Sequence, residues 1–157
     1  MNNEIINCKE LIGEILGGLY KPEEILSQDL SIIDHEKYQV TFVFPLYERT
    51  VEQLYHVSNV QIAAAKTEGL YLAIGCAIKE GLVEGMETYE DFINNRPSYL
   101  LYKENITYRK MLEFNKPYAL TFSINEIGLK KIRKTFKSVK IKISGFLSGE
   151  IELLSEI

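Results

Sequence analysis

The chain has 157 residues, 46% hydrophobic and 25% charged, with a net charge of −4. Those totals suit a single domain over 1–157 with a core that needs no staples. The interspersed charges exclude a bulk electrostatic drive toward nucleic acid.

Two cysteines far apart, Cys8 and Cys76, give no metal-ligand spacing and no disulfide framework. Cys76 falls in an apolar helix and reads as a small core residue. The N-terminus lacks the basic start and apolar run of a secretory signal. The apolar stretch 57–78 carries Gln61, Lys66 and Glu68, which makes it a poor membrane span. The expected location is cytoplasmic.

Residues 9–19 place Leu11, Ile12, Ile15, Leu16 and Leu19 on one helical stripe. Gly17 and Gly18 end that helix, and Pro22 starts a turn. A short apolar run, Leu30 to Ile33, follows. Residues 38–44 then alternate as a strand does, with Tyr38, Val40, Phe42 and Phe44 on one face.

Residues 57–78 form a long helix that is apolar nearly all round and rich in Ala and Gly, so a sheet is expected to wrap it closely. Thr88, with Asp91 three residues on, starts a short capped helix that Pro97 closes. From there the pattern is β: strands at 99–103, 107–112, 118–124 and 127–136, then a final pair. Lys140 and Lys142 on 139–143 can face Glu150 and Glu152 on 150–153 across a hairpin. The connection between them holds Gly145 and Gly149. The fold class is α+β, and an antiparallel sheet around one buried helix is the hotdog fold.

These segments resemble the FcoT-like fatty-acyl thioesterases, a hotdog family. The resemblance covers roughly 10–154 and rests on several colinear stretches. They are Tyr89-Glu-Asp-Phe92, Tyr99-Leu-Leu-Tyr-Lys103, Tyr108-Arg-Lys110, Lys116-Pro-Tyr-Ala-Leu120 and the closing Ser148-Gly-Glu-Ile-Glu-Leu153. His56, with Val60, Gln61 and Tyr71, lies where the family starts its central helix with Gly-His-Phe-Asn. The resemblance implies hydrolysis of long-chain acyl-CoA, or conjugate addition of glycine to a 2-enoyl group on an acyl carrier protein.

Carried over residue by residue, the family's pocket tyrosine after the first helix falls on Tyr20 and its histidine on His56. Its asparagine falls on Ser58, beside Asn59. Its loop tyrosine falls near Thr50, with Tyr47 or Tyr55 able to take the role. Its helical asparagine–glutamine pair falls on Thr67 and Glu68. These changes of residue type leave room for another substrate or reaction.

His56 suits a donor to a thioester carbonyl or a general base, since imidazole titrates near neutral pH. The plain alternative is a residue that satisfies backbone at the helix start. Glu68 stands about 18 Å further along a straight helix. It therefore meets a His56 only across a dimer, or else pairs with a lysine or faces solvent. Ser58 and Asn59 suit helix capping first and substrate orientation second.

Arg109 and Lys110 can meet a CoA or phosphopantetheine phosphate, though surface charge is the more frequent role. No Gly-x-Ser-x-Gly elbow marks a serine nucleophile. No cofactor and no metal are implied. The expected partners are acyl-CoA or acyl carrier protein and a second copy of the chain.

A dehydratase would pair His56 with Glu68 from opposite subunits, but its His-Phe-Pro-Gly sequence is absent. A non-catalytic acyl-binding protein is the reading outside enzymology. Acyl chain length depends on where a slot is blocked, by Tyr or Phe side chains.

Overall fold

The computed structural model describes residues 5–34, 37–46, 57–81, 86–95 and 99–156. Its centre is one antiparallel sheet and one long helix. The sheet holds β1 (Ile6–Asn7), β2 (Ser27–Asp34), β3 (Lys37–Val43), β4 (Leu100–Tyr108), β5 (Pro117–Ile132), β6 (Lys134–Gly145) and β7 (Leu147–Glu156), in the order β1-β2-β3-β5-β6-β7-β4. The helices are α1 (Glu10–Leu16), α2 (Asn59–Glu80) and α3 (Tyr89–Asn95). This arrangement is consistent with the hotdog fold expected from the sequence.

The apolar stripe of α1 is buried as its spacing requires, through Leu11, Ile12, Ile15 and Leu16. In β3 the alternating set Tyr38, Val40 and Phe42 points inward, and Phe44 just past the strand is also buried. α3 is capped as expected: Thr88 Oγ1 accepts from the Asp91 amide at 3.2 Å. Cys76 is buried in α2, and burial pushes its thiol pKa up.

The long helix meets the sheet through glycine. A Cβ placed on Gly69 would stand 2.1 Å from Cζ of Phe122 in β5, so only hydrogen permits that approach. On another side, a Cβ at Gly75 would meet Ile15 of α1 at 2.6 Å and Phe92 of α3 at 2.9 Å. The expected close wrapping by the sheet therefore holds on the Gly69 side, while helices pack the Gly75 side.

It does not hold all round. Val60 is 79% exposed, Ala63 and Ala64 are exposed, and one flank of the helix faces a cleft. Sheet and neighbouring helices occupy part of a cylinder about 10 Å wide, and the stripe opposite them stays open.

Two strand boundaries differ from the sequence reading. The sequence leaves 104–106 as a break between two strands, yet β4 is continuous through Glu104, Asn105 and Ile106, paired with Ile151, Glu150 and Gly149 of β7. An edge strand wet on both faces tolerates such residues, and nearly every β4 residue is exposed. Residues 109–112 leave the sheet; the Leu112 carbonyl instead accepts from the Val57 amide at 2.9 Å.

Likewise 118–124 and 127–132 are one strand, joined through an irregularity between Ile124 and Glu126 that shifts the alternation. The chain then reverses at Arg133 in the left-handed region, so 134–136 belongs to β6.

The final hairpin has the expected register, Lys140 opposite Glu152 and Lys142 opposite Glu150. Its ion pairs are shifted, however. Lys130 Nζ lies 3.0 Å from both Glu152 oxygens, and Lys140 reaches Glu126 at 3.5 Å. The reversal is tighter than expected: Gly149 lies within β7, where a Cβ would stand 1.9 Å from the Asn105 carbonyl oxygen.

Candidate functional site

The open flank of α2 carries two depressions. The first lies between its middle turns and the β4–β7 edge. Leu70 and Ile74 of α2, Leu101 of β4 and Leu153 of β7 make it apolar, Tyr71 and Tyr99 add ring faces, and Lys66 and Thr67 stand at one end. Its volume is about 90 Å³. Lys66 Nζ bonds Glu104 Oε2 of β4 at 2.5 Å, and Thr67 Oγ1 donates to the Ala63 carbonyl at 3.0 Å.

The second depression, about 340 Å³, lies at the amino end of α2. Val57, Asn59 and Ile62 form one wall, and Tyr108 to Leu112 the other. It brings together Asn59, Arg109 and Lys110. At 100° per residue, Asn59, Ala63, Lys66, Leu70 and Ile74 fall on one side of α2. β4 runs alongside in the opposite sense, with Glu104 bonded to Lys66 and Tyr99 beside the cleft that Ile74 lines. The two depressions therefore lie along one line.

Ser58 is the N-cap of α2. Its Oγ accepts from the Gln61 amide at 3.3 Å, and Gln61 Oε1 accepts in return from the Ser58 amide, the reciprocal capping box. Gln61 Nε2 also donates to the Pro45 carbonyl at 2.8 Å, which ties the helix start to the end of β3. The sequence reading expected Ser58 to cap and did not identify Gln61 as its partner.

Glu68 occupies the opposite flank and is only 2% exposed. The Leu26 amide donates to both carboxylate oxygens at 3.0 and 3.1 Å; the Ser27 amide and Ser27 Oγ donate to Oε1 at 3.0 and 2.7 Å. Glu68 is thus neither solvated nor paired with a lysine, the two plain expectations. Its carboxyl lies above the usual range because burial penalises the charge, and these donors pull it only part of the way back.

Tyr20 is half-buried against the core. Its phenol is pushed up by burial and by neighbouring Tyr71 and Glu68. Tyr20 and Glu68 are not among the residues that line the cleft.

Of the expected residues, the structure places Thr67 in the apolar cleft and Asn59 with Arg109 in the groove at the amino end of α2. Ser58 caps the helix, Glu68 lies on the sealed flank, and Tyr20 is half-buried against the core. His56, Tyr47 and Tyr55 lie outside the described residues. The sequence reading missed Lys66 and Leu153 as site residues. It had Leu70 and Ile74 only as core and Tyr99 only as a strand residue. A lysine at position 66 inside an otherwise apolar helix was the available signal. Among the described residues no His, Cys, Asp and Glu cluster is arranged to hold a metal ion, and no helix is long and apolar enough to cross a membrane.

No family model and no curated protein matches the sequence. Solved structures do match. A mutant of thioesterase PA1618 from Pseudomonas aeruginosa aligns with a TM-score of 0.55 at 10% identity, covering 94% of this chain and 92% of that one. Thioesterase superfamily member 2 from Mus musculus aligns with a TM-score of 0.54 at 15% identity, covering 93% and 92%. Cj0977, a sigma28-regulated virulence protein from Campylobacter jejuni, aligns with a TM-score of 0.53 at 11% identity, covering 93% and 87%. At these identities the likeness is one of fold: the chain shares the fold of thioesterase-superfamily proteins.

Proposed function

We propose that this protein is an acyl-thioester enzyme that hydrolyses long-chain fatty acyl-CoA or acyl-carrier-protein thioesters as a homodimer. The observation that carries this reading is the apolar cleft along α2, continuous in direction with a groove at the positive end of the same helix that carries Asn59, Arg109 and Lys110. Asn59 to Ile74 spans about 22 Å of helix, long enough for a long-chain acyl group. Resemblance to the FcoT-like thioesterases points the same way.

In this reading Arg109 and Lys110 meet the phosphate of the thiol carrier. The amides of Asn59 and Val60, in the first turn, lack intrahelical acceptors and polarise the thioester carbonyl. His56, next in sequence to the groove-lining Val57, activates water. Thr67 lines the acyl path. Glu68 is a positioning residue: it holds the first turn of β2 against α2.

The second copy completes the site. The cleft is smaller than the roughly 300 Å³ at which ligand sites begin, and β4 leaves Leu100 and Leu101 more than half exposed on a sheet edge. Pairing through that edge would cover those side chains and supply the missing wall.

The test is thiol release from palmitoyl-CoA. A His56→Ala variant is expected to lose ~100-fold or more of the wild-type rate. Unchanged turnover would remove His56 from the chemistry. Amine addition to an enoyl-carrier thioester, without thiol release, would favour the conjugate-addition reading. A second reading, an acyl-binding protein without catalysis, is favoured by one observation: Lys66 and Thr67, the polar residues of the cleft, are both engaged within the chain. Tight palmitoyl-CoA binding with no turnover of either kind would establish it.

A further inference from the structure

The apolar cleft has a built end. Ala77, the next residue along the open stripe after Ile74, is fully buried. α3 packs on another side of α2 near the same level, with Phe92 beside Gly75. Tyr99, immediately before β4, lines the cleft together with Ile74. Its ring is held on two sides. It stacks edge-on against Phe92, with centroids 6.0 Å apart, and its hydroxyl donates to Glu87 Oε1 at 2.6 Å. Glu87 is held in turn by Lys137 Nζ of β6 at 2.7 Å from its other oxygen. A ring held in this way cannot swing aside for a longer ligand without breaking its part-buried hydrogen bond to a carboxylate that Lys137 fixes in place. A free tyrosine at the same place would turn about χ1 at little cost.

We infer that Tyr99 is the end wall of the acyl slot and sets the longest chain the protein accepts. The inference rests on the acyl-thioester reading above and adds its specificity-determining residue.

The experiment is binding by calorimetry across saturated S-alkyl-CoA thioethers from octyl to docosyl, which cannot be hydrolysed, on wild type and variants. In wild type, affinity is expected to rise with length and then stop rising at a definite chain. Tyr99→Ala is expected to move that break to longer chains, each further methylene tightening binding about fourfold. Tyr99→Phe keeps the ring and is expected to keep the break. Tyr99→Leu gives a second opening should the alanine variant fail to fold, with the same direction expected.

A break that stays in place in a folded alanine or leucine variant overturns the inference and leaves the acyl reading standing. Wild type that binds no acyl chain of any length, on CoA or on acyl carrier protein, overturns both.

Discussion

The two flanks of α2 treat their polar residues in opposite ways. On one, a glutamate is sealed from water and surrounded by three donors from the start of β2. On the other, a lysine, a threonine and two tyrosines line a cleft whose floor is leucine and isoleucine. The same helix thus anchors a strand on one side and offers a surface on the other. A carboxylate on a central helix is not a catalytic group by position alone. What its oxygens already accept decides how free it is to act.

Four variants would break or sharpen that contrast. The largest effect is expected from Glu68→Ala, which leaves the Leu26 and Ser27 amides buried without an acceptor. At 1–3 kcal/mol for each unsatisfied amide, the loss is about 2–6 kcal/mol, read as a lower midpoint in urea. An unchanged midpoint together with lost turnover would move Glu68 to the chemistry. Gly69→Ala tests the sheet-facing side. Its methyl must displace the Phe122 ring, an overpacking cost of about 1–3 kcal/mol. A neutral result would mean that helix and sheet stand further apart than described.

Glu87→Gln tests the wall behind the cleft. Burial alone would raise the Glu87 carboxyl, but hydrogen bonds from Lys137 and Tyr99 outweigh it and hold the pKa below its ordinary value. A lowered carboxyl adds stability fully above its unfolded value of 4.5, and that stability is lost as pH falls through the lower folded value. Allowing for solvent screening, the variant should be less stable than wild type by ~1 kcal/mol at neutral pH. The gap should close below about pH 4. A gap that persists in acid would mean the effect is steric. The smallest effect belongs to Lys66→Met. Its bond to Glu104 lies at the rim, so the midpoint should move by less than ~1 kcal/mol.

Much of the architecture was legible because periodicity records burial. The alternation in 38–44, the stripe in 9–19 and the apolar helix all reappear, and the Lys–Glu register of the last hairpin was readable from charge alone. Strand ends were less legible. The β4 edge is wet on both faces, so its polar residues mimic a turn, and the irregularity at Glu126 breaks the alternation inside a continuous strand. The two-residue β1 has no periodicity to read.

The site was legible as residue types and less so as geometry. Nothing in the neighbours of Glu68 in sequence reveals that amides 41 and 42 positions away hold it. Tyr99 likewise becomes a wall only once Glu87 and Lys137 converge on it from other elements. Asn59 and Arg109 were singled out separately, and the fold makes them two sides of one groove.

The most direct measurement is a methyl and amide NMR titration of the protein with palmitoyl-CoA. Shifts are expected at Leu70, Ile74, Leu101 and Leu153, with Leu26, Ser27 and Ile15 unmoved. Shifts centred on Leu26 and Ser27, with the Leu70 and Ile74 methyls silent, would contradict it.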